Sequence, residues 1–598
     1  MKTLQKILAT ILLGAACSSC DLTLIPEDTV TPQTFFKTET DLRLWTNQFY
    51  TMLESPDNAA GLNADDMVDK SMGDVISGTR MASNEKGWTW TALRKINYYL
   101  ANSHNCTDEA VRTKYDGVAY FFRAYFYYEK VLRYGDVPWY EVQLGSADEA
   151  LYKPRDSREL IMTNMIKDID EAINSSGLTE DISTYRVNKW AALALKARFC
   201  LFEGTYRKYH GINLEGHDYT YYLEEAAKAA KTIIDEGPYK LYSTKNPDKD
   251  YMMLFAQENA STEEYILAIR NSYEAQVYHN ATAYTLLPTQ GRPGYTRKFI
   301  NMYLKKDGTA FTDQEGWQTL PFTEEVKDRD PRLAQSIRTP GYKRIGAKRV
   351  QGPDLGVTIT GYQPIKFVQD TTASGGQIDR NDRSTCDMPV FRYAEVLLNY
   401  AEAKAELGTL TQNDLAITVN EIRSRVGMRG LDMNEANKNI DWYLESKEYG
   451  YPNVTGANKG VILEIRRERA VELIQEGFRL QDLYRWKAGY CIDQAISGMY
   501  FPGPGEYKLA GKETADLILY AAGSTKPQGG EGVSVYELGS DIILSEGNKG
   551  YVYYHKTVEN LRTPFNEERD YLYPIPSGER SLNPNLTQNP GWSDGLDF

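Results

Sequence analysis

Histidine is scarce in this chain, five among 598 residues, and the scarcity removes whole classes of chemistry. His104, His210, His217, His279 and His555 stand at no metal-site spacing, and the H-E-x-x-H pattern of zinc hydrolases is missing. Missing too are the G-x-S-x-G turn that exposes a nucleophilic serine and the phosphate-cradling P-loop. Cysteine is as rare. Cys106, Cys200, Cys386 and Cys491 are scattered, with no spacing that pairs them or builds a metal site. Cys200, inside the apolar run Leu193 to Phe202, reads as a buried small hydrophobe. Cys17 and Cys20 have C-x-x-C spacing, but no βαβ pattern surrounds them, which argues against a redox pair. There is no basic excess either: 68 Lys and Arg against 82 Asp and Glu leave a net charge of -14. Nucleic acid and charge-driven adhesion to anionic lipid are thereby disfavoured. Beyond the first twenty residues no apolar run reaches membrane-spanning length.

What is present is an ordinary globular balance, 41% hydrophobic and 25% charged, with tyrosine far ahead of the other aromatics at 44 against 18 Phe and 9 Trp. With so many carboxylates, a glycosidase pair remains open on composition alone. Helical periodicity begins near Thr34, with Phe35, Leu42, Trp45, Phe49 and Leu53 on one face. A further helix is expected from about Thr91. Tyr115 to Tyr134 is apolar or aromatic almost all round, which places it in a core, and Gly135 and Pro138 stop it. Helical runs follow at Ser157 to Ser175, Asn188 to Tyr209 and Tyr219 to Glu236, with small residues where they would touch (Ala191, Ala192, Ala194, Ala197, then Ala226, Ala227, Ala229, Ala230). Arg392 to Leu407 and Asp414 to Val426 repeat the plan. Periodicity alone leaves open whether these pack as tetratricopeptide-like hairpins or as an irregular bundle. Tyr265 to Ile269 suits a buried strand. Gly, Pro, Thr and Asn crowd 271–387, and a similar Gly-rich stretch runs from Gly498 to Gly550; both read mostly as loops. The proline-bearing tail from Leu572 to Trp592 reads as ordered and non-helical.

The densest pattern is Val461 to Trp486, VILEIRRERAVELIQEGFRLQDLYRW. At helical spacing Arg469 falls on the apolar line of Ile462, Ile465 and Leu473, tolerable only if a carboxylate meets it. Glu468, Glu472 and Glu476 are the local candidates, and Gly477 is the expected helix stop. A plain solvated helix face is the competing reading of these charges. The string ER-x2-EL-x2-EG-x-R-x2-DL-x-RW resembles the C-terminal hallmark of the SusD/RagB family of nutrient-binding outer-membrane lipoproteins. RAYFYYEKVLRYGDVPW, DRDPRL (Asp328 to Leu333), RYAEVLLNYAEAKAELG, IRSRVG (Ile422 to Gly427), PIP (Pro574 to Pro576) and NPNLTQNPGW from Asn583 resemble its other blocks. The resemblance implies a mainly α fold, with tetratricopeptide-like hairpins, an irregular loop-rich ligand-binding face and a few short strands. It implies surface capture of oligosaccharides without catalysis and without a cofactor. It also implies a SusC-like TonB-dependent transporter as partner, over which the lipoprotein closes. A peptide-binding member of the RagB branch is the alternative, with an all-helical glycoside hydrolase behind it.

Lys2 and Lys6 followed by the short apolar stretch Ile7 to Ala16 read as a signal peptide. A cysteine after such a stretch resembles a lipobox. Cys20 is the expected acylation site, because Cys20-Asp21 and its extended polar sequel resemble the start of mature SusD-like chains, with Cys17 the alternative. The expected organisation is a signal peptide over 1–19, a lipidated tether over 20–33 and one body over 34–598. The body divides into helical hairpins at 34–260, a loop-rich ligand-binding segment at 261–388 and the signature region at 389–598. The expected location is the outer face of the outer membrane. Sugar capture calls for flat rings against pyranose faces, with polar groups at the hydroxyl rim. The candidates are rings in loops: Trp88 and Trp90 in NEKGWTWTAL, Tyr273, Tyr278, His279 and Tyr284 after the expected strand, and Trp317 in TDQEGWQTL. Ordinary packing at a helix entry competes for the two tryptophans, and is the stronger reading for the others.

Overall fold

A computed structural model describes residues 35–53, 64–174 and 177–596. Cys17, Cys20 and the 20–33 tether lie outside the described residues. Ten helices carry the account: α1 (Glu39–Asn47), α2 (Thr91–Asn102), α3 (Glu109–Tyr134), α4 (Arg158–Asn174), α5 (Lys189–His210), α6 (Tyr219–Glu236), α7 (Tyr393–Glu406), α8 (Val419–Arg425), α9 (Lys459–Glu472) and α10 (Arg479–Arg485). Consecutive helices pack side by side from α2 through α6, which is the hairpin reading. The array then continues in space with α7 against α6 and α9 against α7, although a long segment separates α6 from α7 in sequence. Small residues permit the closest contact, between α5 and α6. A Cβ on Gly204 of α5 would stand 2.7 Å from Leu223 Cγ of α6, so only glycine fits there. Helix ends follow local rules. Asp108 accepts from Val111 N–H to start α3, Asn188 accepts from Ala191 N–H to start α5, and Gly135 and Gly211, at φ 71 and 65, end them.

Among the described residues nine short strands make four small sheets: β1 (Met67–Val68), β2 (Tyr265–Ile269), β3 (Gly294–Tyr295), β4 (Met388–Arg392), β5 (Tyr500–Phe501), β6 (Gly505–Tyr507), β7 (Leu517–Tyr520), β8 (Ser534–Glu537) and β9 (Gly550–Tyr551). The expected buried strand at 265–269 is β2. It pairs antiparallel with β4, Tyr265 opposite Arg392 and Ile269 opposite Met388. This ribbon is where the loop-rich segment leaves and rejoins the helical array. The 498–550 stretch is mostly loop, as expected, and within it β6, β7 and β8 form a three-stranded sheet whose β7–β8 pair is parallel. One expectation is corrected. The C-terminal tail contains a short helix, Ser577–Leu582, opened by Pro576.

The signature run is mostly buried, with Glu464, Glu476, Gly477, Phe478, Leu480 and Gln481 half-buried. α9 ends at Glu472 rather than at Gly477, because the chain turns early through left-handed backbone at Gln475 and Gly477. That turn brings Glu476 to Arg392 at 2.7 Å and Lys366 at 2.6 Å. Arg469 is buried and paired, as its position demanded, but its acid is Asp482 at 2.8 Å, with Asn399 Oδ1 at 2.7 Å. The three nearer glutamates are taken by other cations. Glu468 meets Arg332 and Arg423, and Glu472 meets Arg332, Arg392 and Arg425. Asp482 is shared with Arg485, which also holds Glu402 on α7. Burial by itself raises these carboxyls. The surrounding guanidiniums outweigh it and hold Glu468, Glu472 and Glu476 below the usual carboxylate range, with Glu402 lowered to about 2.

Two outcomes follow from this network. Glu472→Ala leaves three buried guanidiniums facing one another and costs about 3–5 kcal/mol or more. Arg469→Ala costs less, because Asp482 retains Arg485. Thermal unfolding of the two variants should rank them in that order, and equal midpoints would contradict the assignment. The second outcome concerns pH. Carboxyls depressed in the fold contribute stability that is complete above their unfolded pKa and lost as pH falls towards the folded value. His210, lowered to about 4 by burial, adds a loss below its ordinary 6.5, whereas Asp66, pushed up to about 7 by burial, acts in the opposite sense over the same range. Denaturant midpoints should therefore change little between about pH 7 and 5 and fall steeply below about pH 4. A steep fall that begins near about pH 6 would contradict this.

Candidate ligand-binding cleft

Trp88 and Trp90 stand just before α2, and the loop that carries them is anchored by Glu85. Its carboxylate takes Arg133 at 2.8 Å, Tyr134 Oη at 2.7 Å and Gly87 N–H at 2.6 Å. Trp88 meets Tyr134 edge-on, with centroids 4.9 Å apart, and Trp90 at 5.4 Å. At 7% exposure it is mainly a packing residue. Trp90 is half-buried and rests against Phe126 and Tyr140, each at 5.6 Å. Lys130 reaches over its ring and donates to Gly87 O, and burial lowers that ammonium to about 8.

The tryptophans line a cleft of about 470 Å³, within the ~300–1,000 Å³ usual for ligand sites. One wall is the α2 face with Leu93, Arg94 and Asn97; another is the loop from Pro138 to Tyr152; a third is the C-terminal tail with Glu579, Leu582, Asn583 and Leu586. The loop is held in place. Asn97 Nδ2 donates to Tyr140 O at 2.9 Å, and Tyr140 N–H donates to Tyr127 Oη at 2.6 Å. The tail is held by Asn583 Nδ2 to Lys153 O at 3.1 Å and by Asn589 Nδ2 to Tyr134 O at 3.0 Å. Around the mouth, large apolar side chains face outward: Leu582 is 72% exposed and Val142 59%, with Leu151 and Tyr152 beside them. Exposed apolar residues are ordinary when scattered; a group of them at one cleft marks a contact surface.

The other candidates are elsewhere, and none lines this cleft. Tyr273 and Tyr278 do come together, at 6.3 Å, with Arg383 over the Tyr278 ring. His279 is 4% exposed, its Nε2 is 2.9 Å from Cys386 O and its Nδ1 accepts from Ala281 N–H. Tyr284 donates to Asp69 Oδ2 at 2.7 Å. Trp317 is 8% exposed and packs with Phe311, Trp442 and Tyr443. Sequence reasoning missed the loop wall and the tail wall. The one signal for the former was the aromatic density of YGDVPWY around Tyr140; for the latter there was none, since the tail reaches Trp90 only through the fold.

Among the described residues no group of three or more His, Cys, Asp or Glu side chains could hold a metal ion, and no helix is long and apolar enough to cross a membrane. Cys106, Cys200, Cys386 and Cys491 are buried.

Comparison with known proteins gives a consistent result. A family model described as "Starch-binding associating with outer membrane" matches residues 87–201. A SusD-like protein, P38, from Formosa agariphila is 26% identical over 406 residues, covering 65% of this chain and 69% of that one. A solved SusD-like protein from Bacteroides fragilis superposes with a TM-score of 0.67 at 20% identity, over 95% of this chain and all of that one. A SusD-like carbohydrate-binding protein from the same species superposes at 0.65 and 21% identity, over 93% of this chain and all of that one. The model of the SusD family itself matches residues 254–592, more than half of the sequence, and the chain belongs to that family.

Proposed function

We propose that the protein captures oligosaccharides at the cell surface and passes them to a partner transporter in the outer membrane, without chemistry on the ligand. The observation that carries the reading is the Trp90 cleft: a half-buried indole, an apolar rim and the exposed Arg94 side chain, between walls that Asn97 and Asn583 hold in place. A pyranose has just such a mixed surface, with axial C–H faces that stack on a ring and equatorial hydroxyls that need donors and acceptors. The family membership supports a saccharide ligand, since one similar solved protein is itself a SusD-like carbohydrate-binding protein. The description of the N-terminal family match, starch binding and association with the outer membrane, supports both ligand and location. Anchorage through an acylated Cys20, and a SusC-like transporter as the partner, are supported by the resemblance of the sequence to the family.

A peptide ligand is the second reading, and a specific feature favours it. Val142, Leu151 and Leu582 are aliphatic, and aliphatic rims suit apolar peptide side chains as well as sugars. A panel of glycans and peptides measured by calorimetry, with product analysis on every hit, separates the readings. An uncleaved oligosaccharide binding at micromolar affinity or weaker, and weakened about tenfold or more by Trp90→Ala, is the expected result. Trp88→Ala should instead act mainly on stability. Peptide-only binding would replace the glycan reading, and cleavage of a bound glycan would overturn the non-catalytic one. For location, the double change Cys17→Ala and Cys20→Ala should release the protein from the membrane fraction, because each buried methylene of an acyl chain supplies ~0.8 kcal/mol of membrane affinity. A double variant that stays in the membrane fraction would contradict the anchor.

A further inference from the structure

A second cavity, of about 270 Å³, has a different chemistry. Its lining is Asn47, Tyr50 and Leu53 from the end of α1 and the turn after it, Tyr185 and Arg186 from the turn before α5, and Ala268 to Arg270 at the end of β2. It shares no residue with the tryptophan cleft. Among the described residues that line it there are two arginines and no carboxylate, in a chain whose net charge is -14. Neighbouring arginines are treated otherwise: Arg123, Arg158 and Arg198 each meet an acid at 2.6 to 2.7 Å. Among the described residues, Arg186 and Arg270 form no salt bridge.

Both guanidiniums are supported on rings. Arg186 Cζ stands 4.6 Å from the centroid of Tyr50, and its Nη1 donates to Asn47 Oδ1. Tyr50 Oη accepts from Val187 N–H at 2.9 Å, so the residue that carries the guanidinium also pins the turn that supplies it. Arg270 is exposed, with Cζ 5.6 Å from the Tyr185 centroid. The acid beyond Tyr185 is Asp387, which is buried and already receives Tyr185 Oη, Ala260 N–H and Asn271 N–H. An arginine stacked on a ring keeps its in-plane N–H groups available, and two such forks facing one cavity match an oxyanion.

We infer that this cavity is a subsite for an anionic substituent, a carboxylate or sulfate ester, carried by a sugar. Its size, below the usual ~300–1,000 Å³, suits one saccharide residue rather than a chain. The saccharide part of the inference rests on the proposed function, whereas the preference for an anion rests on the arginines alone. The two can fail separately, since the Trp90 cleft and this cavity have no residue in common.

The test titrates the purified protein with sodium glucuronate, glucose 6-sulfate and glucose at low ionic strength, read by ligand-observed NMR. At least one of the two anions should bind, at an affinity on the order of millimolar given so few contacts, with glucose at least about tenfold weaker. Salt should weaken the binding. Arg270→Gln, an exposed change that should leave the melting temperature unaltered, should weaken it about tenfold, while Arg270→Lys retains part of it. Trp90→Ala should leave it unchanged. Glucuronate binding alone would assign a carboxylate, and 6-sulfate binding alone a sulfate ester; either supports the subsite. Anions that bind no better than glucose would overturn it, as would binding that survives both Arg186→Gln and Arg270→Gln. Loss of oligosaccharide binding in Trp90→Ala with glucuronate binding intact would show the two sites to be independent.

Discussion

Everything in this fold leans on one carboxylate. Glu472 is fully buried at the end of α9, and its two oxygens receive Arg425 at 2.7 Å, Arg392 at 2.8 Å and Arg332 at 3.1 Å. Those arginines come from α8, from the end of β4 and from a short helix of the loop-rich segment at Pro331–Ser336. A buried charge is costly unless met on all sides, so three distant pieces of chain must arrive together or none is tolerated. Glu476 and Glu468 extend the arrangement to Lys366 and Arg423. Lys366 stands in the loop-rich segment, Arg423 on α8. The network is thus a clamp between the helical array and the loop-rich excursion, alongside the β2–β4 ribbon, the β1–β3 pair and the core that Tyr295, Phe299 and Ile337 share with Val471 and Ile474.

The same network joins four of the family blocks. DRDPRL supplies Asp330 and Arg332, RYAEVLLNYAEAKAELG supplies Arg392, Asn399 and Glu402, IRSRVG supplies Arg423 and Arg425, and the signature run supplies the acids and Arg469. These blocks meet in the interior. None of these groups lines the tryptophan cleft. In these four blocks the residues that make the chain recognisable hold it together, whereas Pro138, Asn583 and Leu586, from two of the other blocks, line the cleft. Dry, fully paired ion clusters stabilise less than their count suggests, but breaking one member is severe. A framework of this kind tolerates change at its clefts and little within the clamp.

How much of this was legible beforehand follows from the range of the interactions. The helices of the array were visible because burial of one face imposes a short period, and the all-round apolar character of Tyr120 to Tyr128 placed α3 in the core. The stop at Gly135 and the strand at 265–269 were local signals as well. Arg469 could be seen to need an acid, yet Asp482 could not be chosen over Glu472, because the choice depends on Arg392 and Arg425 arriving from elsewhere. β5 to β9 are not legible one by one, because strands of two to four residues among glycines carry no alternation. Trp88 and Trp90 stood out as rings in a polar stretch, but that Trp88 is packed and Trp90 accessible depends on Tyr134 and on the reach of the tail. Trp317 looked like Trp90 in sequence and is enclosed by Trp442 and Tyr443 instead.

The central claim is this division of labour, a buried clamp that holds and a tryptophan cleft that binds. Hydrogen exchange on the protein with and without a saturating bound oligosaccharide tests it directly. The account predicts ligand-induced protection in the stretches that wall the cleft, around 88–97, 138–152 and 577–586, with the 461–486 run already protected and unchanged. Protection confined to 271–320, with the cleft walls exchanging as before, would contradict it.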